Sequence, residues 1–247
     1  MRYALALLLL AVPLTACGGV SLNAVAQAAD KATAAGSEHA DITGTVTAAG
    51  ETIKMTGSGD FQTSPKLGAM HLSMTANGKQ FAMDEVMNGW TIYMKSSLFS
   101  AQLPAGKSWL SIDLQQAGKK LGIDFNKFSQ QDPTDLVAAL KKAGSVKKVG
   151  TETIDGVDTT HYSVVIDVAK APNGAQLQKL TNLKSIPVDV WIDGNNRLRR
   201  MTESYTVTTS GQTVGTTMQM DLSKYGEPVN VQVPSASETV DMTKLGG

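Results

Sequence analysis

The chain runs on two hydrophobic periods, and the switch between them sets its layout. Behind Ser21, which can cap a helix, Leu22, Val25, Ala26, Ala29 and Ala32 or Thr33 recur at helical spacing until Gly36. From His39 to Lys95 the period becomes two. Ile42, Gly44, Val46 and Ala48 share one face; after the Ala49-Gly50 turn, Ile53, Met55, Gly57, Gly59 and Phe61 alternate with Lys54, Thr56, Ser58 and Asp60. Met70, Leu72, Met74 and Ala76 then alternate with His71, Ser73 and Thr75. Asn77-Gly78 is a strong hairpin signal, because both central residues of a type I′ turn need positive φ. Phe81 and Met83, the turn Asn88-Gly89, and Trp90, Ile92 and Met94 against Thr91, Tyr93 and Lys95 extend an antiparallel meander with one apolar and one solvated face.

Pro104 and Gly106 interrupt this pattern, Trp109–Ile112 resumes it, and Asp113–Gly122 predicts a short helix. Asp132-Pro133 reads as the cap and first residue of a helix to Ala143, with Leu136, Val137 and Leu140 as its stripe. Val146–Thr153 and Val157–Val168 pair around Asp155-Gly156, and Pro172–Leu183 predicts another short helix. Val188–Asp193 alternates as a strand that turns at Gly194-Asn195-Asn196. Leu198–Thr208 and Thr213–Ser223 form the last hairpin, Tyr225–Val231 is extended, and Ser237–Leu245 is short. Roughly ten strands and a few one-faced helices predict an α+β fold: a strongly curved antiparallel half-barrel with the helices on its concave face. Small helices need not fill that concavity, which leaves room for a hydrophobic cavity. Its expected wall is Met55, Phe61, Leu72, Met74, Phe81, Met83, Ile92, Met94, Val164, Ile166, Val188, Val190, Met218 and Met220, each of which would serve equally as an ordinary packed position.

Composition sharpens this picture. Aromatics are only 5% of the chain while methionines number 11, so much of the apolar volume is flexible and polarizable, suited to irregular or changing contents. Basic and acidic residues are equal at 22 each, which excludes nucleic-acid binding driven by phosphate neutralisation. His39, His71 and His161 lack metal-ligand spacing, and no zinc, hydrolase-elbow or phosphate-loop motif occurs, so no catalytic residue, metal or cofactor is expected. Asp189 and Asp193 share a strand face and read as solvated neighbours rather than an acid–base pair. Gly57-Ser58-Gly59 reads as a bend or a close approach of ligand to backbone. The basic pairs fit solvated faces and helix ends; a sharper reading places Lys141, Lys142, Lys147 and Lys148 around one helix end, against anionic lipid head groups at a cavity mouth.

The N-terminus has a charged start, an apolar run over Ala4–Val12 too short to span a bilayer, and small residues ahead of Cys17, the only cysteine. Leu14-Thr15-Ala16-Cys17 resembles the lipobox of bacterial lipoproteins, which implies diacylation of Cys17, cleavage before it and anchoring by two acyl chains. Residues 1–16 are then a lipoprotein signal peptide, 17–20 the lipidated cysteine and a short tether, and 21–247 one domain. Cleavage removes only Arg2 among the charges.

Together with this lipobox, the meander and the mid-chain helix, the segments Ile186–Met201 and Tyr225–Pro234 make the chain similar to the LppX/LprAFG family of actinobacterial lipoproteins, whose fold resembles that of LolA and LolB. The resemblance implies a half-barrel closed by helices around a hydrophobic pocket. It implies binding and transfer of an acylated lipid, glycolipid or lipoglycan, without catalysis, by a monomer on the outer face of the cell membrane, with an envelope lipid transporter as a candidate partner. The short tether favours local hand-over. The competing reading is an envelope scaffold or assembly lipoprotein with a solid core and no cargo.

Overall fold

The computed structural model describes residues 18–122, 144–170, 174–209 and 212–242. The expected signal peptide, Cys17 and the predicted helix Asp132–Ala143 lie outside them. The chain opens with α1 (Gly18–Ala35), then β1 (Ser37–Ala48), β2 (Glu51–Gln62), β3 (Leu67–Ala76), β4 (Lys79–Asn88), β5 (Thr91–Ser96), β6 (Trp109–Asp113) and α2 (Leu114–Leu121). It continues through β7 (Gly144–Ile154), β8 (Val157–Asp167), α3 (Gly174–Thr181), β9 (Ser185–Asp193), β10 (Leu198–Thr209), β11 (Gln212–Ser223) and β12 (Thr239–Asp241).

All twelve strands form one curved, unclosed sheet in the order β12-β6-β5-β4-β3-β2-β1-β11-β10-β9-β8-β7. Every neighbouring pair is antiparallel except β12, which lies parallel to β6. The turns explain the hairpins. Ala49 and Gly50, Asn77 and Gly78, and Asp155 and Gly156 all take positive φ, as type I′ turns require. α2 starts on Asp113, whose carboxylate accepts the N–H groups of Gln115 and Gln116, and ends at the left-handed Gly122.

Register turns the sequence alternation into two faces. One cross-strand row reads Phe81, Met74, Met55, Gly44, Met218, Glu203, Val188, Val164, Val146. The row beside it on the opposite face reads Ala82, Ser73, Thr56, Thr43, Gln219, Thr202, Asp189, Ser163, Lys147. The first face can be covered and the second solvated.

Helix α1 covers half of the apolar face. Its Ala28 sits in a core with Val146, Tyr162, Val164, Val188, Val190 and Ile192, flanked by Leu22, Ala24 and Val25 of the helix and by Ile166, Ile186, Leu198 and Met201. Alanines let the helix come close, and the short, stiff valines of β7–β9 give it a smooth bed.

The C-terminal segments that carry the family resemblance are staples. Asp193 is 5% exposed, and its carboxylate accepts the backbone N–H groups of Asn195 and Arg197, each at 2.9 Å, and the Arg197 Nε at 3.0 Å. This corrects the expectation of a solvated Asp193: its charge is consumed by the β9–β10 turn. Tyr225 donates its hydroxyl to the Leu198 carbonyl at the β10 bulge, while the Gly226 N–H donates to Ser37 O and the Ser37 hydroxyl to Glu227 O. These bonds tie the extended tail to the starts of β1 and β10.

Replacing Asp193 with Ala removes three hydrogen bonds and leaves buried donors without an acceptor. Urea unfolding should show a loss of about 2–4 kcal/mol, with the Asn variant intermediate.

Candidate functional site

The concave side of β1–β6 is built differently from the half under α1. Its side chains are Met55, Phe61, Leu72, Met74, Phe81, Met83, Ile92 and Met94, joined by Met218 and Met220 of β11, and all are half-buried. The described helices make their main contacts with this half only at its two ends, α1 on β1 and α2 on β6; α1 otherwise contacts β7, β9 and β10, and α3 contacts β10. These residues form an apolar trough on an otherwise ordered sheet. The fourteen wall positions expected from alternation therefore separate into two groups. Val164, Val188 and Val190 are 3%, 7% and 6% exposed inside the core beneath α1, and Ile166 packs against that core. The other ten line the trough.

Glycines floor the trough. Gly44, Gly57, Gly59 and Gly68 sit at inward register positions of β1, β2 and β3. A methyl group at Gly57 would collide with Leu72 Cδ2, and one at Gly68 with Phe61 Cδ1. The Leu72 and Phe61 side chains thus occupy the space that side chains at Gly57 and Gly68 would need. At Gly59 the β3 backbone itself is the neighbour, with Met70 Cα 2.9 Å from where a Cβ would sit. In the Gly57-Ser58-Gly59 stretch the close contacts of both glycines are thus with β3.

Three carboxylates interrupt the apolar rows. Glu203 lies between Val188 and Met218, Glu85 between Met70 and Met94, and Glu38 beside Phe61. Burial pushes all three carboxyls above the usual carboxylate range. Sequence alternation contains them at inward positions, but each is isolated along the chain and matches no catalytic pair or metal-ligand spacing.

The convex face uses its charges internally. His39 Nδ1 is 2.6 Å from Asp60, His71 Nδ1 is 2.7 Å from Asp84, and His161 Nε2 is 3.1 Å from Asp189 while its ring stacks on Trp191. Arg200 forks onto Asp221. Asp189 is thus a histidine partner and Asp193 a turn staple, which breaks up the one carboxylate pair that the sequence offered. Trp90 and Trp109 are capped by Lys66 and Lys95 at 4.0 and 5.8 Å. Lys147 and Lys148 are exposed on the edge strand β7, away from the trough, and Lys141 and Lys142 lie outside the described residues. No group of histidine, cysteine and acidic side chains suited to a metal ion occurs among the described residues.

Two cavities lie elsewhere. One of about 480 Å³ is bordered by Thr151, Thr153, Thr159 and Asp193 near the β7–β8 hairpin, and one of about 600 Å³ by Val165, Gln178 and Leu183 beside α3. Neither holds a residue of the trough.

With the geometry in place, the fold can be compared with solved ones. The crystal structure of the Mycobacterium tuberculosis lipoprotein LppX matches 87% of this chain and 99% of its own, with a TM-score of 0.53 at 22% identity. The chain has the LppX fold. LprF from Mycobacterium bovis shares it, with a TM-score of 0.50 at 18% identity over 88% of this chain and 98% of its own. In sequence, an uncharacterized 31.2 kDa protein of Streptomyces griseus is 34% identical over 161 residues, 58% of this chain and 52% of that protein. A Streptomyces coelicolor protein described as a lipoprotein is 28% identical over 149 residues, 59% of this chain and 46% of that protein. The chain spans about half the length of these curated relatives. No family model matches it. On this fold the candidate site is the methionine-rich trough with its three glutamates.

The glutamates predict a pH dependence whose sign follows from their shift. Unfolded, these carboxyls titrate in the ordinary range; folded, they titrate higher, so the folded state favours the protonated form. Their contribution to stability is complete below the ordinary carboxylate pKa and is lost as pH rises through the folded values. Converting Glu38, Glu85 and Glu203 together to Gln should raise the melting temperature at about pH 7.5, and the gap from wild type should shrink toward about pH 5.

Proposed function

We propose that this chain is an envelope lipoprotein, anchored through acylated Cys17, that binds an acylated lipid or lipoglycan along the β1–β6 trough and passes it on without covalent chemistry. The observation that carries this reading is the half-buried apolar wall of an LppX fold. Alternation brings Met55, Met74, Phe81 and Leu72 to one face, with Leu72 lying over Gly57. Each methylene of an acyl chain laid there leaves water with a gain of about 0.8 kcal/mol, so a tail of ordinary length supplies ample affinity. Methionines suit such a wall, since their side chains conform to tails of differing shape.

The anchor fits the reading. Helix α1 begins at Gly18, the residue after Cys17, so a lipidated Cys17 would be joined to the sheet by a helix that packs on it rather than by a long linker. The trough then stays near the bilayer surface, where extraction and local hand-over are short steps. No described helix is long and apolar enough to cross a membrane; two acyl chains on Cys17 would be enough for the proposed attachment.

Native mass spectrometry of protein purified from its own membranes tests the reading: a co-purifying acylated molecule is expected, and a protein that emerges empty with full occupancy of its trough by its own side chains would favour a scaffold. Two tryptophan substitutions separate wall from core. Met74→Trp should lower lipid occupancy with little change in melting temperature. Val190→Trp, in the core under α1, should cost about 1–3 kcal/mol or more from overpacking before any effect on lipid is read.

A further inference from the structure

The chemically odd members of the trough are its glutamates. Glu203 stands in a row of Val164, Val188, Met218 and Met55, and Glu85 in one of Leu110, Met94 and Met70. Neither has a hydrogen-bond or ion-pair partner among the described residues, and both are half-buried. Glu38, at the end of the trough, is the same, with Tyr225 in its electrostatic neighbourhood. By register, the other charges on this side of the sheet are Glu51 and Lys79 at strand tips and Lys148 on the sheet edge, and the helix α1 packed on β10 carries the buried carboxylate oxygen of Asp30. The charged groups set within the wall are therefore carboxylates, with the uncharged hydroxyls of Tyr205 and Thr216 on the same face.

An unpaired carboxylate in apolar surroundings costs stability, and three methionine or valine neighbours would pack better against a leucine. What a carboxylate can do there is accept hydrogen bonds from a guest. Hydroxyl groups on the guest would satisfy it, whereas a phosphate brought to the same place meets a like charge in a poorly solvated site.

We propose that Glu85 and Glu203 select the cargo: the trough takes an acylated molecule whose polar part, or hydroxylated chain, offers hydroxyl donors and carries no anionic group. This rests on the lipid-binding reading of the same site and narrows it. It also reverses the expectation of anionic head groups drawn from the lysine pairs, two of which, Lys147 and Lys148, lie on the far edge strand. Glu85 on β4 and Glu203 on β10 are separated by β3, β2, β1 and β11, so a guest that reaches both lies across the trough and its β10 border. The raised carboxyls add a second feature: as pH falls they become donors as well as acceptors, and the penalty against an anion weakens.

The test compares dipalmitoylglycerol carrying one glucose with dipalmitoyl phosphatidylglycerol, which has the same tails, in competition for the purified mature protein at neutral pH, read by native mass spectrometry. Wild type should favour the glucoside by about tenfold or more. The Glu85→Gln/Glu203→Gln pair, which keeps acceptors and removes charge, should bring phosphatidylglycerol binding up toward that of the glucoside. The Glu85→Leu/Glu203→Leu pair should lower glucoside binding while melting at or above the wild-type temperature, which separates recognition from folding. Equal binding of the two lipids by wild type, or a preference unchanged in both double variants, overturns the assignment while leaving lipid binding intact. Binding of neither lipid overturns the lipid-binding reading and the assignment together.

Discussion

The constraint that governs this molecule is the mismatch between one wide sheet and one short helix. Twelve strands at about 4.8 Å spacing make a sheet some 50 Å across along its curve, whereas α1 is about 27 Å long and about 10 Å wide. A helix of that size crosses a few strands. It contacts β1, β7, β9 and β10, and there the apolar face closes into a core of valines, Tyr162 and Ile192 around Ala28. Beyond β1 the same face continues through β2, β3, β4 and β5, with which none of the described helices makes its main contacts, before α2 meets β6. Sheet continuity forces the apolar face to go on; helix length stops its cover.

The side chains follow that division. Under the helix they are short, stiff and β-branched, which favours one fixed packing. In the trough they are methionines, phenylalanines and a leucine laid over glycines, which favours adaptable contact. A wall meant only to be packed by the protein itself would gain from apolar groups in place of Glu85 and Glu203. Glu85 falls on the half away from α1, and Glu203 on β10, at the border of the core that α1 covers.

Much of this was legible in the alternation. Turn pairs such as Asn77-Gly78 and Asp155-Gly156 fix hairpins by their need for positive φ, and hairpins fix register, so the inward set from Met55 to Met94 could be read directly. Long-range closure was not legible. The β1–β11 pairing joins Ile42 to Met220 with no local signal, and the parallel β12–β6 contact depends on a short strand that period alone does not mark. Parity also cannot tell a position under a helix from one facing open space, which is why Val164, Val188 and Val190 were grouped with Met74 and Phe81. Asp193 was misread for a different reason. Strand alternation put it on the wet face, but the turn folds back over it and fills its lone pairs with the backbone of Asn195 and Arg197.

That last point bears on what a fold likeness can carry. The two segments that resemble the LppX family do their work at Asp193, Arg197, Tyr225 and Glu227, the last accepting from the Ser37 hydroxyl, where hydrogen bonds hold the β9–β10 turn and the C-terminal tail. Those sites demand particular residues because each needs a specific donor or acceptor. The trough demands only apolar side chains of roughly the right size, and many sequences meet that demand. A likeness read from the staples therefore transfers the scaffold and leaves the cargo open. The cargo must be argued from what is specific in the wall, and among its described positions the specific groups are the glutamates, not the methionines around them.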